Sequence, residues 1–565
     1  MLDGIAENQY TKVVDPFLDA AVPTSAGNPS GVQRLVSALR ERAFAIALTA
    51  AFLVLATLGA LHHELWRDEL HAWLVARDSA NLWNVFQVTR YEAHFVLWRV
   101  LLFGITRFTH NPFALQLLNL LLATTTIWIV ARFSPFRKLE KCLLSFGYFF
   151  FYEFCIIAQD YTLVVVLMFC FCALYRRRAE NVLALSVVLF LLANAAPYGL
   201  LIVLIFSALL VFSWIRDEED PSLRTASHRR VGALIVLVGV ASATLQILLI
   251  KPSPSTSWKH PLTVAGLSDT MINIWRAYVP FTQGFPSLDR WPWGTNLIDS
   301  IPVALPIKVG LSLLLGLVSV ALLLKRPSGL FLYLVGLAIL WPIQFLVNAG
   351  ALRHKGFLFL LFVAALWIGG DTAEWQLSDI PVRRLGDFFG RWRNPFIVGL
   401  LVIQVIAGMY AFKADWGYAF SADKETAQFL RDHGLTNLPI AASDEMQVAP
   451  LSAYLDKPIY FLQSSRFGTY ADLSRSLDDL SVREMLKRSV QLAHRMRTDV
   501  VLVIANGTIE LQQPGVWLES GSLNADGVVL PSSAPELSPS ATIQFVGQFP
   551  CYVDESYSVY LIQPN

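Results

Sequence analysis

Charge and cysteine are both scarce in this chain of 565 residues, and each scarcity excludes something. Only 15% of the residues are Asp, Glu, Lys or Arg, against 55% hydrophobic, and the mean hydropathy is +0.50. That balance excludes a soluble globular protein built around one core and points to an integral membrane protein. Four of the five cysteines, Cys142, Cys155, Cys170 and Cys172, lie in or beside apolar runs, and Cys551 stands alone in the polar C-terminal region, so no disulfide can form within that region. A formal net charge of +1 with no basic groove gives no case for a nucleic-acid partner. There is no P-loop, no Gly-x-Ser-x-Gly elbow and no His-Glu-x-x-His, which leaves nucleotide hydrolysis and serine or zinc proteolysis without support. Internal repeats are lacking too. The first residues, with Asp3, Glu7, Asp15 and Asp19, lack the basic start and cleavage site of a signal peptide, and residues 1–42 are expected to form a cytoplasmic tail.

What the chain does have is apolar runs of about 15 to 22 residues, the length that crosses a bilayer's hydrocarbon. They begin near Ala43, Phe113, Cys142, Tyr161, Val182, Tyr198, Val231, Val303, Leu330, Gly356 and Pro395, predicting about eleven spans over 43–412. Basic residues cluster in alternate loops: Arg132, Arg137, Lys138 and Lys141; Arg176 to Arg178; Arg216, Arg224, Arg229 and Arg230; Lys325 and Arg326; Arg383, Arg384, Arg391 and Arg393. The positive-inside rule puts these loops and the N-terminus in the cytoplasm. The 62–111 loop, the 152–161 turn, the 251–302 loop and everything after about 413 then lie outside. Phe95 to Phe108 is too short to span, at about 21 Å as a helix, and it carries Arg99 and Arg107. It is expected to lie in the outer interface. Beyond Tyr410 the composition becomes that of a soluble α/β domain (413–565), with a helix over 423–433, strands over 439–442, 458–462, 499–504 and 557–562, and a Ser/Gly/Pro-rich loop over 520–540.

Acidic residues beside a bilayer are the candidates for chemistry. Asp68 and Glu69 follow the first span, and being adjacent they diverge by about 100° on a helix, so one can act while the other orients it. Asp68 is the expected general base; the alternative is two solvated carboxylates past a helix end. Glu92 and His94 are two apart and share a face in an extended turn, as an acid/imidazole pair or as ligands of a divalent metal would. Glu153, Asp160 and Tyr161 occupy the turn between the third and fourth runs, where polar groups face a cavity; Asp160 could equally be a helix N-cap. Arg353, His354 and Lys355 form a basic cluster on the outer side, where an anionic lipid phosphate would account for it. Lys259, His260, Arg276 and Arg290 are further candidate phosphate or acceptor contacts.

The order Trp-Arg-Asp-Glu-x-x-Ala-Trp-Leu-x-Ala-Arg-Asp (Trp66 to Asp78), followed by Arg-Tyr-Glu-x-His with Leu-Trp (Arg90 to Trp98), resembles the first external loop of polytopic bacterial GT-C glycosyltransferases. These are related to protein O-mannosyltransferases and lipid A aminoarabinose transferases. The likeness continues more loosely through Gln159-Asp160-Tyr161 and Arg353-His354, and so covers the membrane part after residue 40. It implies an inverting transfer of a sugar from a polyprenyl-phosphate carrier to an acceptor (lipid, polysaccharide or protein) outside the cytoplasm, in the inner membrane of a bacterium. By the resemblance, Asp68 is the base, Asp160 the second-loop acid and Arg353 the residue that holds the lipid phosphate, with Glu92 and His94 as the second motif. Relatives have His-Pro where this chain has His94-Phe95, which puts the local turn and any metal there in question. A polymerase or ligase with diphosphate-linked donors and a transporter are the rival expectations.

Overall fold

Eight helices are long and apolar enough to cross a membrane in the computed structural model of this chain. The structure describes residues 31–92, 94–216, 226–251, 263–287, 292–347, 350–375, 380–475, 477–506, 508–513, 516–520, 528–529, 541–553 and 555–565. Lys259, His260 and Arg290 therefore lie outside the described residues, as does most of the expected tail.

In order, the helices are α1 (Gly31–His62), α2 (Arg67–Asp78), α3 (Leu82–Thr89), α4 (Val96–Thr106), α5 (Phe113–Phe133), α6 (Lys138–Ser145), α7 (Asp160–Tyr175), α8 (Val182–Ala195), α9 (Pro197–Arg216) and α10 (Ala226–Leu249). They continue with α11 (Val264–Met271), α12 (Asn273–Tyr278), α13 (Leu297–Ser300), α14 (Leu305–Leu323), α15 (Pro327–Leu346), α16 (Leu352–Asp371) and α17 (Ile380–Gly417). Punctuation in the sequence sets many of these limits. Pro112 precedes α5, Ser134-Pro135 closes it, and Pro306 and Pro327 stand in the first turns of α14 and α15, where a missing N–H costs nothing.

Two departures from the expected spans have physical causes. The first helix begins at Gly31 rather than Ala43, because nothing in 31–42 breaks a helix. The run from Cys142 is divided: α6 stops at Ser145, and after Gly147 residues Tyr148–Glu153 form a π-helix. Widened turns of this kind recur at functional sites. Here the turn is held by Gly408 of α17, where a side chain would press within 3.0 Å of Phe146 O and Tyr148 N. The α7 and α8 helices are apolar but shorter, at 16 and 14 residues.

The chain runs back and forth between two ends. At one end Lys138 meets Glu41 at 2.9 Å, Arg326 meets Glu374 at 2.6 Å, and Lys325 pairs with Asp387. At the other, Lys251 N donates to Arg90 O at 2.7 Å, Val96 N to Gln246 Oε1 at 2.9 Å, and His63 reaches Asp415 at 2.9 Å. The acidic loops share this second end and the basic loops the first. Only 11 residues long, about 17 Å, α4 stays at the second end, packed on α2, α3 and α8.

After α17 the chain enters a mixed six-stranded sheet of order β3-β2-β1-β4-β9-β8. Its strands are β1 (Ile440–Ala442), β2 (Ile459–Phe461), β3 (Arg466–Gly468), β4 (Val500–Ala505), β8 (Ala541–Phe549) and β9 (Tyr557–Pro564); β5 (Thr508–Gln513), β6 (Val516–Ser520) and β7 (Val528–Val529) form a separate three-stranded sheet. Strand β1 is parallel to β2 and β4, and the other pairs of the larger sheet are antiparallel. Its two faces carry separate cores: α18 (Asp423–Asp432), with α19 (Glu445–Val448) and α20 (Leu451–Leu455), covers Val501 and Val503, while α21 (Val482–Met496) covers Leu502 and Ile504. This is why β4 reads as an unbroken apolar run. The four expected strands and the 423–433 helix are present; α21, β3 and β8 were not anticipated. Of the expected 520–540 loop, Ser520 and Val528–Val529 lie in strands, and the rest lies outside the described residues.

Candidate active site at one end of the bundle

Glu69 is the anchor from which the site is built. At the third position of α2 its Oε2 accepts from Trp66 N at 3.1 Å, closing the first turn, and its Oε1 accepts from Ala158 N at 2.5 Å. His63 Nε2 lies 3.2 Å from the same carboxylate, and its Nδ1 is 2.9 Å from Asp415 at the end of α17. Burial pulls the His63 imidazole down, but Asp415 and Glu69 outweigh it and raise it to about 10. An imidazolium between two carboxylates thus ties α1, α2, the 154–159 segment and α17 together. Glu69 is fully buried, with both oxygens engaged by protein donors. Both Glu69 oxygens are thus occupied in anchoring α2, because the turn of the helix points Glu69 into the core and Asp68 away from it.

Asp68 keeps about a third of its side chain exposed, at 35%, and its Oδ2 accepts from Nη2 of Arg353 at 3.0 Å. The guanidinium lies against a pair of indoles that meet edge to face, 5.8 Å from the Trp66 ring centroid and 5.7 Å from that of Trp293. Such faces stabilise a desolvated cation. Trp293 Nε1 in turn donates to Glu153 Oε2 at 3.2 Å, which also accepts from Tyr148 Oη at 2.7 Å. Buried Glu153 thus orients an indole that lies against the guanidinium. A side chain at Gly356 would collide with the Phe149 ring, so the start of α16 presses directly on the π-helix that carries Glu153.

The second arm pairs His94 with Asp160, Nδ1 to Oδ2 at 3.1 Å. Asp160 is buried and His94 is exposed, so the carboxylate acts on the surroundings through the imidazole. The protein around it partly desolvates His94 and lowers its proton affinity, and Asp160 overrides that to leave a net rise. Asp160 is the first helical residue of α7; Gln159, and not Asp160, is the cap. Beside it, Tyr161 Oη lies 2.7 Å from His354 Nε2, while His354 Nδ1 accepts from Ala351 N at 2.9 Å. That acceptor role places the ring proton on Nε2, so His354 donates to Tyr161 and leaves the phenolic proton free to donate onward. Tyr198 packs on His354, with ring centroids 5.3 Å apart.

Glu92 and His94 do not form a ligand pair. His71 Nε2 is 2.9 Å from Glu92 Oε1, and Arg99 takes its other oxygen. Burial would raise the Glu92 carboxyl, but Arg99 and His71 hold it at about 2. With both Glu92 oxygens engaged and His94 turned to Asp160, the residues present do not fit a divalent metal, and no group of three or more His, Cys, Asp or Glu among the described residues could hold one. Arg276 is also engaged within its own loop, by Asp269 at 2.5 Å, Asp299 at 2.6 Å and Asn273 Oδ1 at 2.9 Å. Sequence reasoning missed Trp293, Tyr198, His63 and Asp415. Only Trp293 had a local signal, the aromatic-Pro-aromatic run Trp291-Pro292-Trp293 between two apolar runs.

The C-terminal domain grips α2. Phe420 packs on Trp66, Trp293 and His63, Glu555 Oε1 accepts from Arg67 N at 2.9 Å, and Asp456 meets Arg77 at 3.1 Å.

No family model matches this sequence, and no curated protein matches it. Among solved structures, the chain is similar to ArnT from Cupriavidus metallidurans in two crystal structures, one bound to undecaprenyl phosphate and one in the apo state. The identities are 11% and 12% and the TM-scores 0.44 and 0.45; each match covers 91% of this chain and 97% of that one.

Proposed function

We propose that this chain is a membrane-embedded glycosyltransferase of the GT-C class, which moves a sugar from a polyprenyl-phosphate donor to an acceptor hydroxyl outside the cytoplasm. The observation that supports it most is the contact of Asp68 with Arg353 beside a pair of indoles, at the end of the bundle away from the basic loops. By the positive-inside rule that end faces away from the cytoplasm, where a lipid carrier delivers an activated sugar without a nucleotide. The membrane is the inner membrane of a bacterium.

In this reading the donor phosphate replaces the Asp68 carboxylate on Arg353, since a guanidinium fork suits phosphate and carboxylate alike. Asp68, released, takes the proton of the acceptor hydroxyl as that oxygen attacks the anomeric carbon. The bond from this carbon to the phosphate oxygen breaks, and polyprenyl phosphate leaves with one more negative charge. Arg353, which holds the phosphate in this reading, is then beside the developing charge, the arrangement that lowers a barrier most. One displacement inverts the anomeric centre. Glu69 and His63 hold α2 in register with Asp160, and Glu153 sets the Trp293 face.

The test is transfer by purified protein from a polyprenyl-phosphate sugar. Asp68→Asn should lower turnover by about a thousandfold, within the usual reach of a general base, while donor binding is kept. Undiminished transfer by that variant would falsify the assignment of the base.

A further inference from the structure

A second polar cavity lies outside the site just described. It measures about 280 Å³ and is formed where α1 and α17 end and α18 begins, with Leu61, His62, Glu64, Asp415, Trp416 and Lys424 among its walls. Asp415 is already engaged by His63. Glu64 is not: its Oε2 is buried and has no hydrogen-bond partner among the described residues. Burial, opposed in part by Lys424, lifts the Glu64 carboxyl to about 7, and a cation alongside would restore its charge.

Charge and position identify the occupant. Glu64 and Lys424 offer one negative and one positive group within the same walls, which fits a zwitterion. The cavity sits where two candidate spans, Leu35–His62 and Pro381–Gly417, both end, the depth of lipid headgroups. Its rim continues into apolar surface that faces outward: Leu61 is 54% and Trp416 50% exposed, with Leu58 and Met409 below them. Trp416 stacks on His62 at 4.2 Å between centroids, so an indole stands at the interface where indoles concentrate. At about 30 Å³ per water-sized unit the volume holds a group of about nine non-hydrogen atoms, enough for a phosphoethanolamine.

We infer that this cavity binds the headgroup of a zwitterionic phospholipid with a primary amine, the ammonium on Glu64 and the phosphate on Lys424. The site is separate from the proposed transfer chemistry and stands whether or not that reading holds. It tethers the junction between the membrane helices and the C-terminal domain to the surrounding leaflet.

Native mass spectrometry of the full-length detergent-solubilised protein tests it, titrating phosphatidylethanolamine, phosphatidylcholine and phosphatidylglycerol of matched chains. The wild type should hold phosphatidylethanolamine about tenfold more tightly than either other lipid, a difference of about 1.4 kcal/mol. Glu64→Gln should bring phosphatidylethanolamine and phosphatidylcholine level, Glu64→Asp should keep the preference, and Lys424→Met should weaken phosphatidylethanolamine and phosphatidylglycerol alike. Equal binding of the three lipids by the wild type, a preference that survives Glu64→Gln, a loss common to Glu64→Gln and Glu64→Asp, or binding indifferent to Lys424→Met overturns it.

Discussion

Asp68 Oδ2 and Arg353 Nη2 are 3.0 Å apart, although 285 positions separate them in the chain. A proposed base and a proposed phosphate holder therefore occupy each other in this structure. In the proposed reaction, donor binding is what makes the base available, because the phosphate must displace it.

Removing the holder should affect donor binding before anything else. Arg353→Ala is expected to weaken binding of the polyprenyl-phosphate donor by one to two orders of magnitude, roughly the worth of a charge-assisted hydrogen bond, and Arg353→Lys by less. Lysine keeps the charge but loses the planar fork. Steady-state kinetics with varied donor check this: a KM unchanged in Arg353→Ala removes the holder.

Glu69 predicts a stability effect. In Glu69→Ala, Trp66 N and Ala158 N lose their acceptor and the His63 imidazolium keeps one carboxylate of two. Such a change in a buried charged network costs about 3 to 5 kcal/mol, so thermal unfolding in detergent should shift down by several degrees. An unchanged midpoint would show that the anchor is dispensable.

The Glu92 pair should reveal itself with pH. Its carboxyl is held at about 2, against 4.5 for an unperturbed one. A carboxyl lowered in the folded state adds stability above the unfolded value, and that stability is lost as pH falls from about 4.5 toward 2. The gap corresponds to about 3 kcal/mol. Glu92→Gln should therefore unfold earlier than wild type at pH 7 and approach it at pH 3, as followed by thermal shift. A difference independent of pH contradicts the assignment.

Arg276 separates structural cations from functional ones. Arg276→Gln leaves Asp269 and Asp299 beside each other without their shared cation, so the unfolding midpoint should fall while the donor KM stays within about twofold, because the guanidinium is already held by Asp269, Asp299 and Asn273. A KM raised as much as in Arg353→Ala would restore it to the site.

Hydropathy is a local property, and what depends on it could be read directly. The runs expected at Phe113, Tyr161, Val182, Tyr198, Val231, Val303, Leu330 and Gly356 fall on helices that begin within about five residues of those positions, whereas α1 and α17 begin well before Ala43 and Pro395 and the run at Cys142 is divided; the basic loops collect at one end because alternate loops of a threaded chain must. The divergence of Asp68 from Glu69 was legible too, since the turn per residue is the same in every α-helix. The division at Gly147 was not, because the π-helix depends on Gly408, which lies far off in sequence and leaves room for it.

The candidate site residues divide along the same line. Residue types and spacing marked out Asp68, His94, Asp160, Tyr161, Arg353 and His354, because polar groups at the ends of apolar runs are costly and conspicuous. Which of the marked groups face one another was decided by the fold: Asp68 meets Arg353, Asp160 meets His94, and Tyr161 meets His354, while Glu69, Glu92 and Arg276 turn to partners that occupy them fully. A side chain's own chemistry is written in its position, whereas its free capacity depends on neighbours that packing brings from elsewhere in the chain. Burial then makes each such pairing strong enough to hold.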